Sequence, residues 1–167
     1  ALLRGPNGIG KSSLMRICAG LLRPLAGTIE RRGRIALADE RLALDLELTL
    51  QEALSFWARL DGADERALDG ALEAMALGPL GAIPVRMLST GQRKRAALAR
   101  VIASGAQLWL LDEPGNGLDD ASLRLLGVAV DTHLARGGVV VAASHQPLPM
   151  GSPVAIDLAA YVAGEAA

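Results

Sequence analysis

The sequence predicts an α/β fold: a mainly parallel sheet flanked by helices, with a small helical lobe inserted into it. Three observations predict this. Short apolar runs alternate with segments of helical spacing, the pattern of parallel strands joined by crossover helices. Leu108–Leu111 and Val139–Ala143 are apolar throughout rather than alternating, as strands buried on both faces are. Between about 45 and 88, apolar residues recur at helical spacing and no strand pattern interrupts them.

Each element follows from local chemistry. Ala1–Leu3 reads as the end of a strand, feeding a glycine-rich turn and then a helix from Lys11 to about Ala19. Gly20 and Pro24 bracket the exit of that helix, as stop signals do. Thr28–Glu30 and Arg34–Ala38 are short strand candidates split by Gly33. Leu50–Leu60 and Ala67–Ala76 have the spacing of amphipathic helices, and Gly78, Pro79, Gly81 and Pro84 then mark a loop-rich boundary. Helices are expected over Gly91–Ala103 and Ala121–Ala135, each leading to one of the two buried strands. The Ala-rich tail beyond Pro153 carries no clear pattern, and fraying is expected at Gly164–Ala167.

Composition narrows the function classes. Hydrophobic residues make up 51% of the 167 but aromatics only 2%, so the core must be aliphatic. A net charge of -1 supplies no basic field of the kind nucleic acids select, and no nucleic-acid partner is expected. The single cysteine, Cys18, excludes an internal disulfide and is read as core packing. No apolar run reaches the roughly 18 residues of a membrane span. The chain opens without Met on what reads as a strand's end, so residues upstream are expected.

Three motifs carry the chemistry. Gly5-Pro6-Asn7-Gly8-Ile9-Gly10-Lys11-Ser12 fits the phosphate-binding pattern G-x-x-x-x-G-K-[ST], with a strand before it and a helix after it. Its glycines let backbone N–H groups curl around phosphate oxygens at a helix N-terminus. Lys11 should reach the β- and γ-phosphates of ATP, the Ser12 hydroxyl should ligate Mg²⁺, and Ser13 should meet the α-phosphate. Asp112 and Glu113 end the apolar strand, with Asp112 placed to hold Mg²⁺ and Glu113 to polarise the attacking water. Ser89-Thr90-Gly91-Gln92 stands just before a helix that opens with Arg93, Lys94 and Arg95. A hydroxyl and glycine N–H groups at a helix start make a second phosphate-binding surface, although the same residues also read as an ordinary N-cap. One chain needs only one such surface for its own nucleotide, so the second makes sense as a cap donated to another subunit.

In that order the motifs make residues 1 to about 147 resemble the ATP-binding subunits of ABC transporters. The resemblance implies that 1–167 forms one ATP-binding domain lacking its first strands, with a helical lobe at about 45–88. It implies ATP hydrolysis with Mg²⁺, and that Ser89, Thr90, Gly91 and Gln92 are the signature acting on a partner's ATP. Asp119, in Asn116-Gly-Leu-Asp119, would belong to the loop touching the opposing subunit, and it also suits a helix N-cap. His145, after the last strand, would be the switch histidine; His133 is assigned to an exposed helix face. Two positions depart from the family pattern. Thr90 stands where the signature has a glycine, and no Gln follows the Arg34–Ala38 strand where the coupling glutamine belongs. Asp39 and Glu40 are the candidates there, Glu40 preferred by its spacing from Leu48-Thr49 as a contact for Mg²⁺ or its water, while Gln51 lies too far along.

Within the class, the chain is most similar to the haem-exporter ATP-binding subunits of cytochrome c biogenesis. Ala19–Pro24, Trp109–Pro114, His133-Leu-Ala-Arg-Gly-Gly138 and Ser144-His-Gln-Pro-Leu148 carry that similarity. It implies a homodimer of ATPase subunits, integral membrane partners and a peripheral place on the cytoplasmic side of the bacterial inner membrane. Other ABC exporters or importers, ABC ATPases acting on DNA or ribosomes, and a silent nucleotide-binding regulator are the competing readings.

Overall fold

The strands are short and aliphatic, and every pairing among them is parallel. The computed structural model describes residues 1–41 and 43–161. Strands β1 (Leu2–Arg4), β2 (Ile35–Ala38), β3 (Leu108–Asp112), β4 (Val139–Ala143) and β5 (Ala155–Asp157) form one sheet in the order β2-β3-β4-β1-β5. The β3–β4 register pairs Leu111 with Ala142 and Asp112 with Ala143, and β2 pairs Ala38 with Leu111. All strand C-termini therefore open on one edge, where parallel sheets bind ligands.

Helices cover both faces of the sheet. Side chains alternate along each strand, so Leu3, Ala143 and Val141 face α1 (Lys11–Cys18), packing on its buried Met15. Trp109, Leu111, Val140 and Ala142 point the other way. They meet the larger core of α4 (Thr90–Ala103) and α5 (Asp120–Ala135), beyond which lie α2 (Leu50–Leu60) and α3 (Glu65–Ala74). Burying this aliphatic surface is the main stabilising contribution.

Polar caps fix where the helices begin. Thr49 and Glu52 form a reciprocal capping box at α2, and Asp64 caps α3 by accepting from Ala67 N at 2.8 Å. The Asp64 cap starts α3 two residues before the predicted Ala67. Arg95 donates to the carbonyls of Met75 and Ala76 at 2.7 and 3.0 Å, closing the C-terminal end of α3 onto α4. Arg100 lies with its guanidinium carbon 4.6 Å from the Trp57 ring centroid, joining α4 to α2.

Two sequence expectations are corrected. Thr28–Glu30 is not a strand: Thr28 and Glu30 are exposed, and no strand among the described residues pairs with the segment. β5 lies in the tail that carried no pattern. It is three residues long and half exposed, and it forms only by pairing with β1. Gly164–Ala167, where fraying was expected, lies outside the described residues.

Candidate functional site

β1 ends at Arg4 and the chain turns through three glycines of positive φ, Gly5 (136°), Gly8 (81°) and Gly10 (106°). At Gly10 this is decisive, because it precedes α1 directly in a left-handed conformation that a side chain resists. No side chain caps α1, so the N–H groups of its first turn are left for an anion. Lys11 is only 8% exposed. Its ammonium donates to the carbonyls of Gly5 at 2.8 Å and Pro6 at 3.1 Å, and among the described residues it has no carboxylate partner. A buried cation held only by carbonyls makes a strong anion site, since burial costs least when an opposite charge arrives.

The next two strands bring the acids to the same edge. Asp112 is buried at the end of β3. Glu113 follows with φ 46°, a left-handed backbone unusual for a residue with a side chain. Its N–H donates to Ala143 O at 2.9 Å, extending the β3–β4 ladder by one bond. That turn sets the Glu113 carboxylate beside His145, which leaves β4 after Ala143. His145 Nε2 lies 3.5 Å from Glu113 Oε1, and His145 N donates to Oε2 at 3.4 Å.

A cleft of about 420 Å³ joins these groups: Asn7, Gly8, Gly10, Lys11, Ser12, Ser13, Glu40, Asp112, Glu113, Asn116 and His145 line it. The cleft separates the two acidic candidates after β2. Asp39 is committed to Arg16 of α1, which donates to Asp39 Oδ2 through Nε at 3.1 Å and Nη2 at 3.0 Å. Glu40 is the one that faces the cleft. Among the described residues no three or more His, Cys, Asp or Glu gather to hold a metal alone. Ser12 and Asp112, with Glu40, instead offer a sparse oxygen donor set, which suits a Mg²⁺ that also takes nucleotide phosphates as ligands.

Ser89–Gln92 and Asp119 do not line this cleft. Ser89 caps α4 in a reciprocal box, accepting from Gln92 N at 3.2 Å while Gln92 Oε1 accepts from Ser89 N at 2.8 Å. Asp119 caps α5, accepting from Ser122 N at 2.8 Å; hydrogen bonding with the Ser122 side chain first, and with its backbone second, lowers the Asp119 pKa. Gly91 packs against the loop before α5, where a Cβ would stand 3.1 Å from Gly117 O. The start of α4 and the loop before α5 thus lie against each other.

Two neighbours of the site went unread in the sequence. Asn116 lines the cleft because a turn folds it back, Asn116 N donating to Glu113 O at 3.2 Å. Lys94, in the first turns of α4, is half-buried. Burial lowers its pKa, while Asp112, Glu40, Glu113 and Asp39 draw it back up. His133 is also reassigned. Rather than lying on an exposed face, its ring stacks on Trp109 at 3.8 Å with planes 9° apart, and Nε2 meets Gln107 O at 3.1 Å. Cys18 is only half-buried, less than core packing implies.

The family model for ABC transporters matches residues 1–116. The cytochrome c biogenesis ATP-binding export protein CcmA of Sphingopyxis alaskensis is 62% identical over 143 residues, covering 86% of this chain and 74% of that protein. The protein of the same name from Novosphingobium aromaticivorans is 64% identical over 148 residues, 89% of this chain and 75% of that one. Among solved structures, an ABC transporter ATP-binding protein from Pyrococcus furiosus superposes with a TM-score of 0.80 at 25% identity, over 95% of this chain and 84% of that one. By that family match and these identities over most of its length, the chain belongs to the CcmA family of ABC transporter ATP-binding proteins.

Proposed function

We propose that this chain is the ATP-binding and ATP-hydrolysing subunit of the ABC transporter for haem export in cytochrome c biogenesis. The observation that carries the catalytic reading is Lys11, a buried cation without a carboxylate partner, in one cleft with Asp112, Glu113 and His145. The similarity to the CcmA proteins carries the transport reading.

In this reading Gly5, Pro6, Asn7, Gly8, Ile9 and Gly10 form the loop that wraps the phosphates. Lys11 exchanges its carbonyl contacts for the β- and γ-phosphates, and Ser13 meets the α-phosphate. Ser12 and Asp112, joined by Glu40 in place of the coupling glutamine, would hold Mg²⁺. When bound, that ion neutralises charge on the β- and γ-phosphates. Glu113 accepts the proton of the attacking water, and His145 steadies both Glu113 and the γ-phosphate. Ser89, Thr90, Gly91 and Gln92 would be the signature, and their absence from the lining of the chain's own cleft supports an action on a partner's ATP. Two copies would therefore sandwich two ATP molecules, each signature closing the other's site.

The chain would work as one ATP-binding domain whose lobe, about 45–88, meets integral membrane subunits at the cytoplasmic face of the bacterial inner membrane. No described helix is long and apolar enough to cross a membrane. The test is Glu113→Gln in the complete protein. It should give an ATP-stabilised dimer with little turnover; full steady-state hydrolysis in that variant overturns the assignment of the base.

A further inference from the structure

At the other end of the strands from the nucleotide cleft, α3 and α5 flank a second cavity of about 640 Å³. Its floor is the C-terminal end of α4, and its inner wall is the Trp109–His133 stack. That volume falls in the roughly 300–1,000 Å³ range of small-molecule sites.

Two features describe what it would hold, and an unsatisfied donor lies in the residue that walls it. Arg66 and Arg136 both line it, no carboxylate does, and among the described residues neither guanidinium has an acidic partner. Trp109 is only 5% exposed, yet its indole N–H is a buried donor with no acceptor. Gly70 sits in the interior of α3 without a positive φ, and a Cβ built there meets nothing within 4 Å. An interior glycine weakens a helix, and neither backbone geometry nor close packing requires this one. Its structural effect is to leave the groove wide. The rest of the lining is largely alanine, glycine and aliphatic side chains, so the interior suits an apolar body and the arginines suit an anionic head.

We propose that this cavity binds a small anionic amphiphile, an apolar molecule bearing a carboxylate, sulfonate or phosphate group. Such a ligand would bridge α3 of the helical lobe to α5, across the tail of the helix that begins with the signature.

The test is a fluorescence titration of the complete protein with anilinonaphthalene sulfonate, with ADP saturating the nucleotide cleft. Its uncharged counterpart, phenylnaphthylamine, is titrated in parallel. The expected result is one saturable site that prefers the sulfonate by about tenfold or more. Gly70→Leu, which fills the groove, and the pair Arg66→Glu with Arg136→Glu, which reverses its charge, should each weaken the sulfonate by about tenfold or more with the melting temperature and ATP hydrolysis retained. Equal affinity for the two probes overturns the proposal, as does unchanged sulfonate affinity in either folded variant. ATP hydrolysis by these variants is read separately, so a failure here leaves the nucleotide site's assignment standing.

Discussion

Gly91 and Gly117 are pressed together: a Cβ at Gly91 would stand 3.1 Å from the Gly117 carbonyl oxygen. One belongs to the signature and the other to the loop that leads to Asp119, so the position of each depends on the other. Gly91→Ala must push that backbone by a few tenths of an ångström. The variant should fold, by circular dichroism, yet lose ATP hydrolysis by about tenfold or more, because an interaction made only in the closed, reacting state has been misaligned.

Glu113, the proposed general base, has a left-handed backbone, φ 46°. That conformation costs an L residue on the order of 1–2 kcal/mol, which a glycine escapes. Glu113→Gly and Glu113→Ala should both lose turnover, but the glycine variant should melt at the higher temperature. Thermal denaturation of the two variants side by side measures this, and the reverse order would show that the backbone is not strained there.

Glu40 and Asp39 are neighbours with different commitments. Asp39 is paired with Arg16, whereas Glu40 lines the cleft. Glu40→Ala should raise the Mg²⁺ concentration needed for half-maximal hydrolysis, and Glu40→Gln should recover part of that loss by restoring the family's residue. Asp39→Asn should leave the Mg²⁺ dependence unchanged and lower stability by about 1 kcal/mol or less, the scale of a partly exposed ion pair.

At Gly138 a Cβ would overlap the His133 ring, so a side chain fits there only if that ring moves. Gly138→Ala should expel His133 from its stack on Trp109 and destabilise the protein by roughly 1–3 kcal/mol. In the background of His133→Ala the same change should cost clearly less. Denaturant unfolding of the four proteins of that cycle reads the coupling, and strict additivity would exclude it.

Asp119 has its pKa lowered by the hydrogen bonds from Ser122. A carboxylate with a depressed folded pKa contributes stability above its unfolded value, near 3.8, and loses it as pH falls through the lower folded value. Asp119→Asn keeps an acceptor without the titration. Its melting temperature should therefore fall less steeply than the parent's below pH about 4, as measured by melting across an acid series.

The strands Leu108–Asp112 and Val139–Ala143 were legible because Leu108–Leu111 and Val139–Ala143 are unbroken apolar runs, and all but Val139 at the edge are buried or half-buried. The phosphate loop was legible because its chemistry is local: glycines, a lysine and a hydroxyl must follow one another to surround one phosphate chain. β5 was not, since three half-exposed residues become a strand only when β1 lies beside them. For the same reason His133 read as a surface residue. Its environment is made by Trp109 and Gln107, which are distant in sequence.

The sequence by itself determined the α/β class and the order of the motifs proposed to act on ATP. Only the tertiary structure decided how their residues divide. It put Glu40 into the cleft and tied Asp39 to Arg16, and it folded Asn116 into the cleft's lining. It also set Ser89–Gln92 outside the chain's own nucleotide cleft, against Gly117. The reason is physical: backbone patterns and contiguous motifs are local, whereas charge pairing, orphaned cations and close backbone approach depend on which strands the sheet makes neighbours.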